Sequence, residues 1–69
     1  MERIFIKDEY IKLGQAMKLA ALVENGAAAK LAITEGRVKV NGEEEQRRGR
    51  KIREGDIIEY GSSRVLVCR

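Results

Sequence analysis

The sequence contains no histidine, and this absence removes several kinds of active site. Ser-His-Asp and Cys-His catalytic groups both need an imidazole, as do zinc sites with histidine ligands. Neither a glycine-rich phosphate loop nor a nucleophile elbow occurs in the chain. The acidic run Glu43-Glu44-Glu45 lacks the spacing of a calcium-binding loop. We therefore predict that the protein is not an enzyme and needs no metal or other cofactor.

Cysteine and long apolar runs are also scarce. The single cysteine, Cys68, cannot form a disulfide within the chain, which favours a cytoplasmic protein. No apolar run approaches the roughly 18 residues of a membrane span, and the charged start Met1-Glu2-Arg3 is unlike a signal peptide. Because a core formed by 69 residues is too small to be divided, we expect one domain over residues 1–69 and no membrane contact.

Aromatic residues make up only 4% of the chain. Phe5, Tyr10 and Tyr60 are isolated in the sequence, so no platform for stacking the bases of a single strand is expected. For a nucleic-acid partner, this scarcity favours recognition of the backbone and of overall shape.

Positive charge is concentrated in one segment. The whole chain has 14 basic and 11 acidic residues and a net charge of +3. Residues 37–53 hold seven basic and three acidic side chains, a net +4, whereas the rest of the chain holds seven basic and eight acidic side chains, a net −1. A local excess of this kind is the electrostatic footprint of a site for a polyanion.

The centre of this segment is Arg47-Arg48-Gly49-Arg50-Lys51, followed by Arg53. Three glutamates upstream cannot neutralise five cations, and arginine pairs bidentately with phosphate oxygens, so nucleic acid is the expected partner. Two other interpretations stay open: a solvated loop neutralised by Glu43-Glu44-Glu45, and a nuclear-localisation signal.

Hydrophobic periodicity predicts a strand, two helices and then several strands. We expect strands at 3–6, 37–40, 57–60 and 64–67, helices at about 13–23 and 27–33, an Asn41-Gly42 hairpin turn and an irregular segment at 43–48. The predicted core consists of Leu13, Met17, Val23, Leu31, Ile33, Val38, Val40, Ile57 and Val65. Outer helix faces are expected to carry Lys12, Gln15, Lys18 and Lys30, and the solvated face of a strand Arg37 and Lys39.

Three stretches of the sequence have a specific joint spacing: Lys12-Leu13-Gly14-Gln15-Ala16-Met17, Gly36-Arg37-Val38-Lys39-Val40-Asn41-Gly42 and Ile52-Arg53-Glu54-Gly55-Asp56-Ile57-Ile58-Glu59. Together they resemble the first helix, the hairpin and the closing strand of the ribosomal protein S-four type RNA-binding domain family, in particular its small stand-alone bacterial members. The resemblance implies an α+β fold with an alpha-L motif over about residues 12–60. In that fold two helices pack against a small, mostly antiparallel sheet, here with an added N-terminal edge strand.

Two stretches depart from the family pattern. Lys12-Leu13-Gly14 stands where many members have arginine-leucine-aspartate, and Asn25-Gly26 stands where many have serine-arginine. These departures shift the expected weight of RNA contact from the helices toward residues 47–53.

The resemblance and the charge distribution together predict a module that binds structured RNA, either ribosomal RNA or a ribosome-associated RNA. The alternative is a ribosome-associated assembly or quality-control accessory that acts mainly through protein contacts with an acidic partner. We expect a monomer, with ribosomal proteins as further candidate partners, and DNA is disfavoured because no recognition helix is evident. The predicted RNA-binding residues are Lys12, Gln15, Lys18, Lys30, Arg37, Lys39, Asn41, Arg47, Arg48, Arg50, Lys51 and Arg53.

Overall fold

A computed structural model describes residues 1–69 and contains two helices and seven strands. In chain order these are β1 (Glu2–Phe5), β2 (Ile11–Lys12), α1 (Leu13–Leu19), α2 (Gly26–Thr34), β3 (Val38–Val40), β4 (Glu43–Glu44), β5 (Lys51–Ile52), β6 (Ile57–Tyr60) and β7 (Ser63–Cys68). Neither helix is long and apolar enough to cross a membrane.

Five of the strands form one sheet in the order β1-β7-β6-β3-β4. The three neighbouring pairs from β7 to β4 are antiparallel, and only β1 lies parallel to its neighbour, β7. The predicted N-terminal edge strand is therefore present, and the two helices cover one face of a mostly antiparallel sheet. This arrangement confirms the predicted α+β fold with its alpha-L motif.

Alternation along the strands decides which side chains enter the core. Val38 and Val40 of β3 are fully buried, as are Ile58 of β6 and Val65 of β7, and they pack against the inner faces of the helices. Ile57 was expected in this core, but the register that places Ile58 opposite Val40 turns its neighbour to the other face of the sheet. Ile57 is therefore only half-buried.

Leu31 is the clearest error in the predicted core, because 54% of it is exposed. The second helix turns Ala29, Ala32 and Ile33 inward, and all three are fully buried, which confirms the prediction for Ile33. At about 100° per residue, Leu31 lies on the side of α2 opposite Ala29. Of the remaining predicted core residues, Leu13 and Met17 are fully buried and Val23 is half-buried.

The first helix ends four residues earlier than its apolar pattern predicts. Ala21 adopts a left-handed conformation with φ 58°, its N–H donates to the carbonyl of Lys18, and the N–H of Leu22 donates to that of Met17. This pair of bonds is the Schellman ending, in which glycine is usual at the left-handed position. The ending carries Leu22 back against the core. A helix that continued to Val23 would instead place Leu22 on the polar face, near Gln15 and Lys18.

A second, two-stranded sheet joins β2 to β5, and the sequence did not predict it. Ile11 pairs with Ile52 and Lys12 with Lys51 in antiparallel register. The segment 43–48 was predicted to be irregular, but Glu43–Glu44 forms β4, because backbone pairing with β3 needs no apolar alternation. Residues 45–50 are irregular, and the pairing of β2 with β5 brings them back to the start of α1. This small sheet positions the basic segment against the helices.

Candidate nucleic-acid interface

The basic loop, residues 47–51, is attached by its backbone to the first turn of α1. The N–H of Leu13 donates to the carbonyl of Arg50 at 2.8 Å, and the N–H of Gly14 donates to the carbonyl of Arg48 at 3.1 Å. Lys12, at the N-cap position, offers no side-chain cap of its own. Because the first N–H groups of a helix need acceptors from elsewhere, the loop supplies the cap and is itself held in place.

The buried carboxylate of Glu45 also fixes the conformation of the basic loop. Both oxygens of Glu45 accept hydrogen bonds: Oε2 from Nε and the backbone N–H of Arg47, at 2.9 and 3.0 Å, and Oε1 from Nη1 of Arg50 at 2.9 Å and Nη2 of Arg47 at 3.1 Å. The bonds from Arg47, and then that from Arg50, lower the pKa of Glu45 to about 2. The side-chain hydrogen bonds to Glu45 likewise raise the pKa of Arg47.

The Glu45 geometry corrects one expectation about the loop. The basic side chains of this segment were expected to be solvated, but only 31% of the Arg50 side chain is exposed, because it reaches inward to Glu45. Arg47 keeps most of its side chain in solvent. Partial neutralisation by an upstream glutamate, one of the open interpretations, therefore applies to Arg47 and Arg50 and not to the rest of the loop.

Arg48 lies across the first helix, in space that Gly14 leaves free. Gly14 is buried, and a Cβ atom at this position would lie 3.1 Å from Cγ of Arg48. This distance is shorter than an ordinary van der Waals contact, so a larger residue would require the Arg48 side chain to shift by at least a few tenths of an ångström. The departure from the family pattern at position 14 thus has a structural consequence for the basic loop.

The space beside Arg48 is a pocket of about 370 Å³ between the two helices and the loop. We call it the basic pocket. It is lined by Lys12, Gly14, Gln15, Lys18, Gly26, Ala29, Arg48 and Gly49. Three of these side chains are cationic and none is acidic, and α2 begins at the rim with Gly26, where the helix dipole adds to the positive potential.

Positive charge continues from the basic pocket along the small sheet. Lys12 and Lys51 are directly opposite each other in the β2–β5 register, an arrangement that destabilises a sheet unless a counter-charge is present. The ammonium group of Lys51 lies 4.9 Å from the ring centroid of Tyr10, and the guanidinium of Arg53 lies 5.9 Å from it. The four ion pairs of the structure include none of Lys12, Lys18, Arg48, Lys51 or Arg53. These five side chains are the free cations of the interface.

Arg37 and Lys39 lie elsewhere, on the strand face that was predicted to be solvated. Arg37 pairs with Glu35 at 2.8 Å and lies over the ring of Tyr60. Lys39 has glutamates opposite it on both neighbouring strands, Glu44 and Glu59. Both line a separate cavity that also includes Glu59, so the structure brings together a balanced face here and not an extension of the basic pocket.

Two further predicted residues lie outside the basic pocket. Lys30 is exposed on α2, as expected, and lines none of the cavities. Asn41 takes the left-handed conformation of a hairpin turn, with φ 53°. Its side-chain oxygen accepts a hydrogen bond from the N–H of Ile57 at 2.9 Å, and its Nδ2 donates to Asp56 at 3.0 Å. These contacts make Asn41 a link between the hairpin and β6.

Comparison with known proteins places this geometry in a family. The family model for the S4 domain matches residues 4–68. RlbA of Bacillus subtilis (strain 168), named as a ribosome maturation protein, is 44% identical over 66 residues, which cover 91% of this chain and 93% of that protein. YbcJ of Escherichia coli (strain K12), named as an RNA-binding protein, is 39% identical over 61 residues, which cover 88% of this chain and 87% of that protein.

A solved structure agrees with these similarities. The solution structure of YbcJ from E. coli, which reveals an alpha-L motif involved in RNA binding, matches with a TM-score of 0.77 at 36% identity. The match covers 100% of this chain and 89% of that one. The chain therefore belongs to the S4 domain family.

Proposed function

We propose that this protein binds structured RNA, ribosomal or ribosome-associated, through the basic pocket and the free cations beside it. The observation that carries the proposal is the basic pocket itself, where Lys12, Lys18 and Arg48 converge without an acidic neighbour. The names of its relatives, one for ribosome maturation and one for RNA binding, support RNA as the polyanion.

Phosphate groups would supply the negative charge that the three cationic side chains of the pocket lack. Lysine ammonium groups act as point charges toward phosphate, and the arginine guanidinium adds a planar fork that pairs with two oxygens. The backbones that carry these groups are held in place, because the loop caps the first turn of α1 and Glu45 binds Arg47 and Arg50 on either side of Arg48. A rigid arrangement of this kind suits a folded RNA, whose phosphates also have fixed positions.

The loop arginines have different tasks in this proposal. Arg48 faces the basic pocket and contacts phosphate, whereas Arg50 is a positioning residue that ties the loop to Glu45. Arg47 does both, because its donors to Glu45 leave other N–H groups and an exposed guanidinium edge for RNA. Contacts from Arg37, Lys39, Lys30 and Asn41 are secondary, because their surroundings are balanced or lie apart from the pocket.

Crosslinking in a native cell extract tests the proposal. Ultraviolet light joins bound RNA to the side chains it contacts, and mass spectrometry then identifies the modified peptides while sequencing identifies the RNA. We expect crosslinks in residues 10–18 and 47–53 and recovery of ribosomal RNA or its precursors. Retention of the protein on ribosomal particles after ribonuclease treatment, without any crosslink to RNA, would instead favour an acidic protein partner.

A further inference from the structure

A second cavity lies next to the basic pocket and is larger, with a volume of about 590 Å³. It runs between the end of β1, the start of β2 and the side of α1. Its apolar lining is Phe5, Ile6, Tyr10, Ile11 and Leu19, and we call it the aromatic groove. Lys12 and Gln15 line both cavities, so the two form one continuous surface.

Three of the five apolar residues that line the groove are exposed to solvent. Phe5 is 68% exposed and Leu19 is 54% exposed, and Tyr10 is also exposed. Single exposed apolar residues are common, but three around one cavity indicate a surface that a binding partner covers. The sequence gives no sign of this, because Phe5 and Tyr10 belong to separate segments that only the fold brings together.

The charges around the groove indicate the chemistry of what covers it. Lys7 and Lys12 line it, and Lys51 and Arg53 lie over the ring of Tyr10, whereas Asp8 is the one acidic side chain in the lining. A ligand that fits must therefore be flat and apolar in the middle and negatively charged on its flanks. A nucleotide within an RNA chain has this character, because each base is followed and preceded by a phosphate.

We infer that an unpaired base of the bound RNA enters the aromatic groove, with its ring against Phe5 and Tyr10, while the neighbouring phosphates contact Lys12 and Lys51. The inference rests on the proposed function and adds the class of RNA: a folded RNA with an extruded base next to a helix. Bases of RNA are readily recognised when they are splayed out and stacked on aromatic side chains. A continuous duplex keeps its bases paired, so it would leave the groove empty.

The test compares two RNA hairpins that differ only in the presence of one bulged adenosine in the stem. Stacking on an aromatic side chain is worth about 1–3 kcal/mol per base, so we expect the wild-type protein to bind the bulged hairpin about 5- to 150-fold more tightly. Phe5→Leu, which keeps an apolar side chain but removes the ring, should lose most of this preference while its affinity for the continuous hairpin stays unchanged.

Leucines on the two helices provide a matched control. Leu19→Ala removes an apolar side chain that lines the groove, and Leu31→Ala removes one that is equally exposed but lies on α2, away from it. We expect Leu19→Ala to reduce the preference for the bulged hairpin and Leu31→Ala to preserve it. Thermal unfolding of each variant establishes that the fold is intact.

The outcomes separate this inference from the proposed function. Equal wild-type affinity for the two hairpins, or an equal loss for both with Phe5→Leu, would overturn the base-binding role and leave RNA binding standing. Failure to bind either hairpin, together with binding of a polyglutamate peptide, would overturn both and identify an acidic polypeptide as the ligand.

Discussion

Glu45 shows how one buried carboxylate can turn a run of arginines into a shaped surface. Its N–H bonds to the carbonyl of Val38, which continues the pairing of the hairpin and places the side chain under the loop. From this position its carboxylate accepts hydrogen bonds from Arg47 and Arg50, while backbone carbonyls of the loop accept hydrogen bonds from the first turn of α1. Arg48 lies between Arg47 and Arg50, and Lys51 follows Arg50; neither Arg48 nor Lys51 forms an ion pair.

The low pKa of Glu45 predicts how stability depends on pH. Its folded-state pKa of about 2 is below the ordinary value of 4.5, so the bonds stabilise the fold above about pH 5 and are lost as pH falls toward 2. We expect a contribution of about 2 kcal/mol at neutral pH, smaller than the whole pKa difference implies because Arg47 is open to solvent.

Urea unfolding of the wild-type protein and of Glu45→Gln checks this contribution. The wild-type protein should be more stable at neutral pH, and the difference should vanish near pH 2. Glu43→Gln is the control, since Glu43 is exposed and forms no ion pair. A stability difference between wild type and Glu45→Gln that is constant with pH would show that the carboxylate charge is unimportant.

We predict that Gly14→Ala weakens RNA binding without lowering the stability of the fold. Ala at this position should leave the fold unchanged or more stable by up to about 1 kcal/mol, since alanine is the better helix former. Its methyl group would require the Arg48 side chain to shift by a few tenths of an ångström, and the poorer geometry of its phosphate contact should weaken RNA binding about threefold.

Gly49→Ala adds the same methyl group in the adjoining loop, where it meets open space. RNA affinity measured by fluorescence anisotropy should change by less than about twofold in this control, because Arg48 would stay in place. The role given to Gly14 is untenable if Gly14→Ala binds as tightly as Gly49→Ala with both proteins folded.

At the level of elements, the ending of α1 is under strain that a single substitution can relieve. Ala21 takes a left-handed conformation, which costs a residue with a side chain roughly 1–2 kcal/mol, and glycine avoids this cost while being more flexible when unfolded. We therefore expect Ala21→Gly to raise the free energy of unfolding by about 0.5–1 kcal/mol.

Chemical denaturation measures this gain. Ala27→Gly, in the first turn of α2, is the control, for which the opposite change in stability is expected. Glycine there should lower stability by about 0.5–1 kcal/mol, because Ala27 is helical and gains nothing from left-handed freedom. Equal destabilisation by both substitutions would contradict the account of how α1 ends.

The same elements show how much the sequence could predict. The second helix, the Asn41-Gly42 hairpin, β6 and β7 follow from periodicity and turn chemistry, and the structure contains all of them. The end of α1 was missed because alanine, not glycine, stands at its left-handed residue. β2, β4 and β5 were missed because strands of two residues have no period, and the pairing of β2 with β5 also depends on contacts between distant segments.

The sequence could predict which segment carries the excess positive charge, but not which of its side chains lie together in the fold. Composition identified residues 37–53, and helical periodicity added the lysines on the outer helix faces. Glu45 carried no distinguishing signal among three consecutive glutamates, since the register alone determines which of them turns inward. The separation of Arg37 and Lys39 from the basic pocket likewise depends on glutamates that neighbouring strands bring into register.

Across the whole molecule, two sets of three cations lie in opposite electrostatic surroundings. Lys12, Lys18 and Arg48 share a pocket without acidic side chains, whereas Arg37, Lys39 and Arg64 belong to surroundings where glutamates balance them. The two sets carry the same formal charge. Net charge alone would make them equivalent in attracting RNA, and the proposed site makes them different.

The salt dependence of RNA binding by two charge-matched variants tests the proposed site most directly. With about three to five phosphate contacts, the wild-type slope of log affinity against log salt should lie between about −2 and −4. Replacing Lys12, Lys18 and Arg48 with alanine should make the slope shallower by about 2 and weaken binding, whereas replacing Arg37, Lys39 and Arg64 with alanine should leave it nearly unchanged. Equal slopes and affinities for the two variants would contradict the account, because RNA would then respond to total charge and not to the basic pocket.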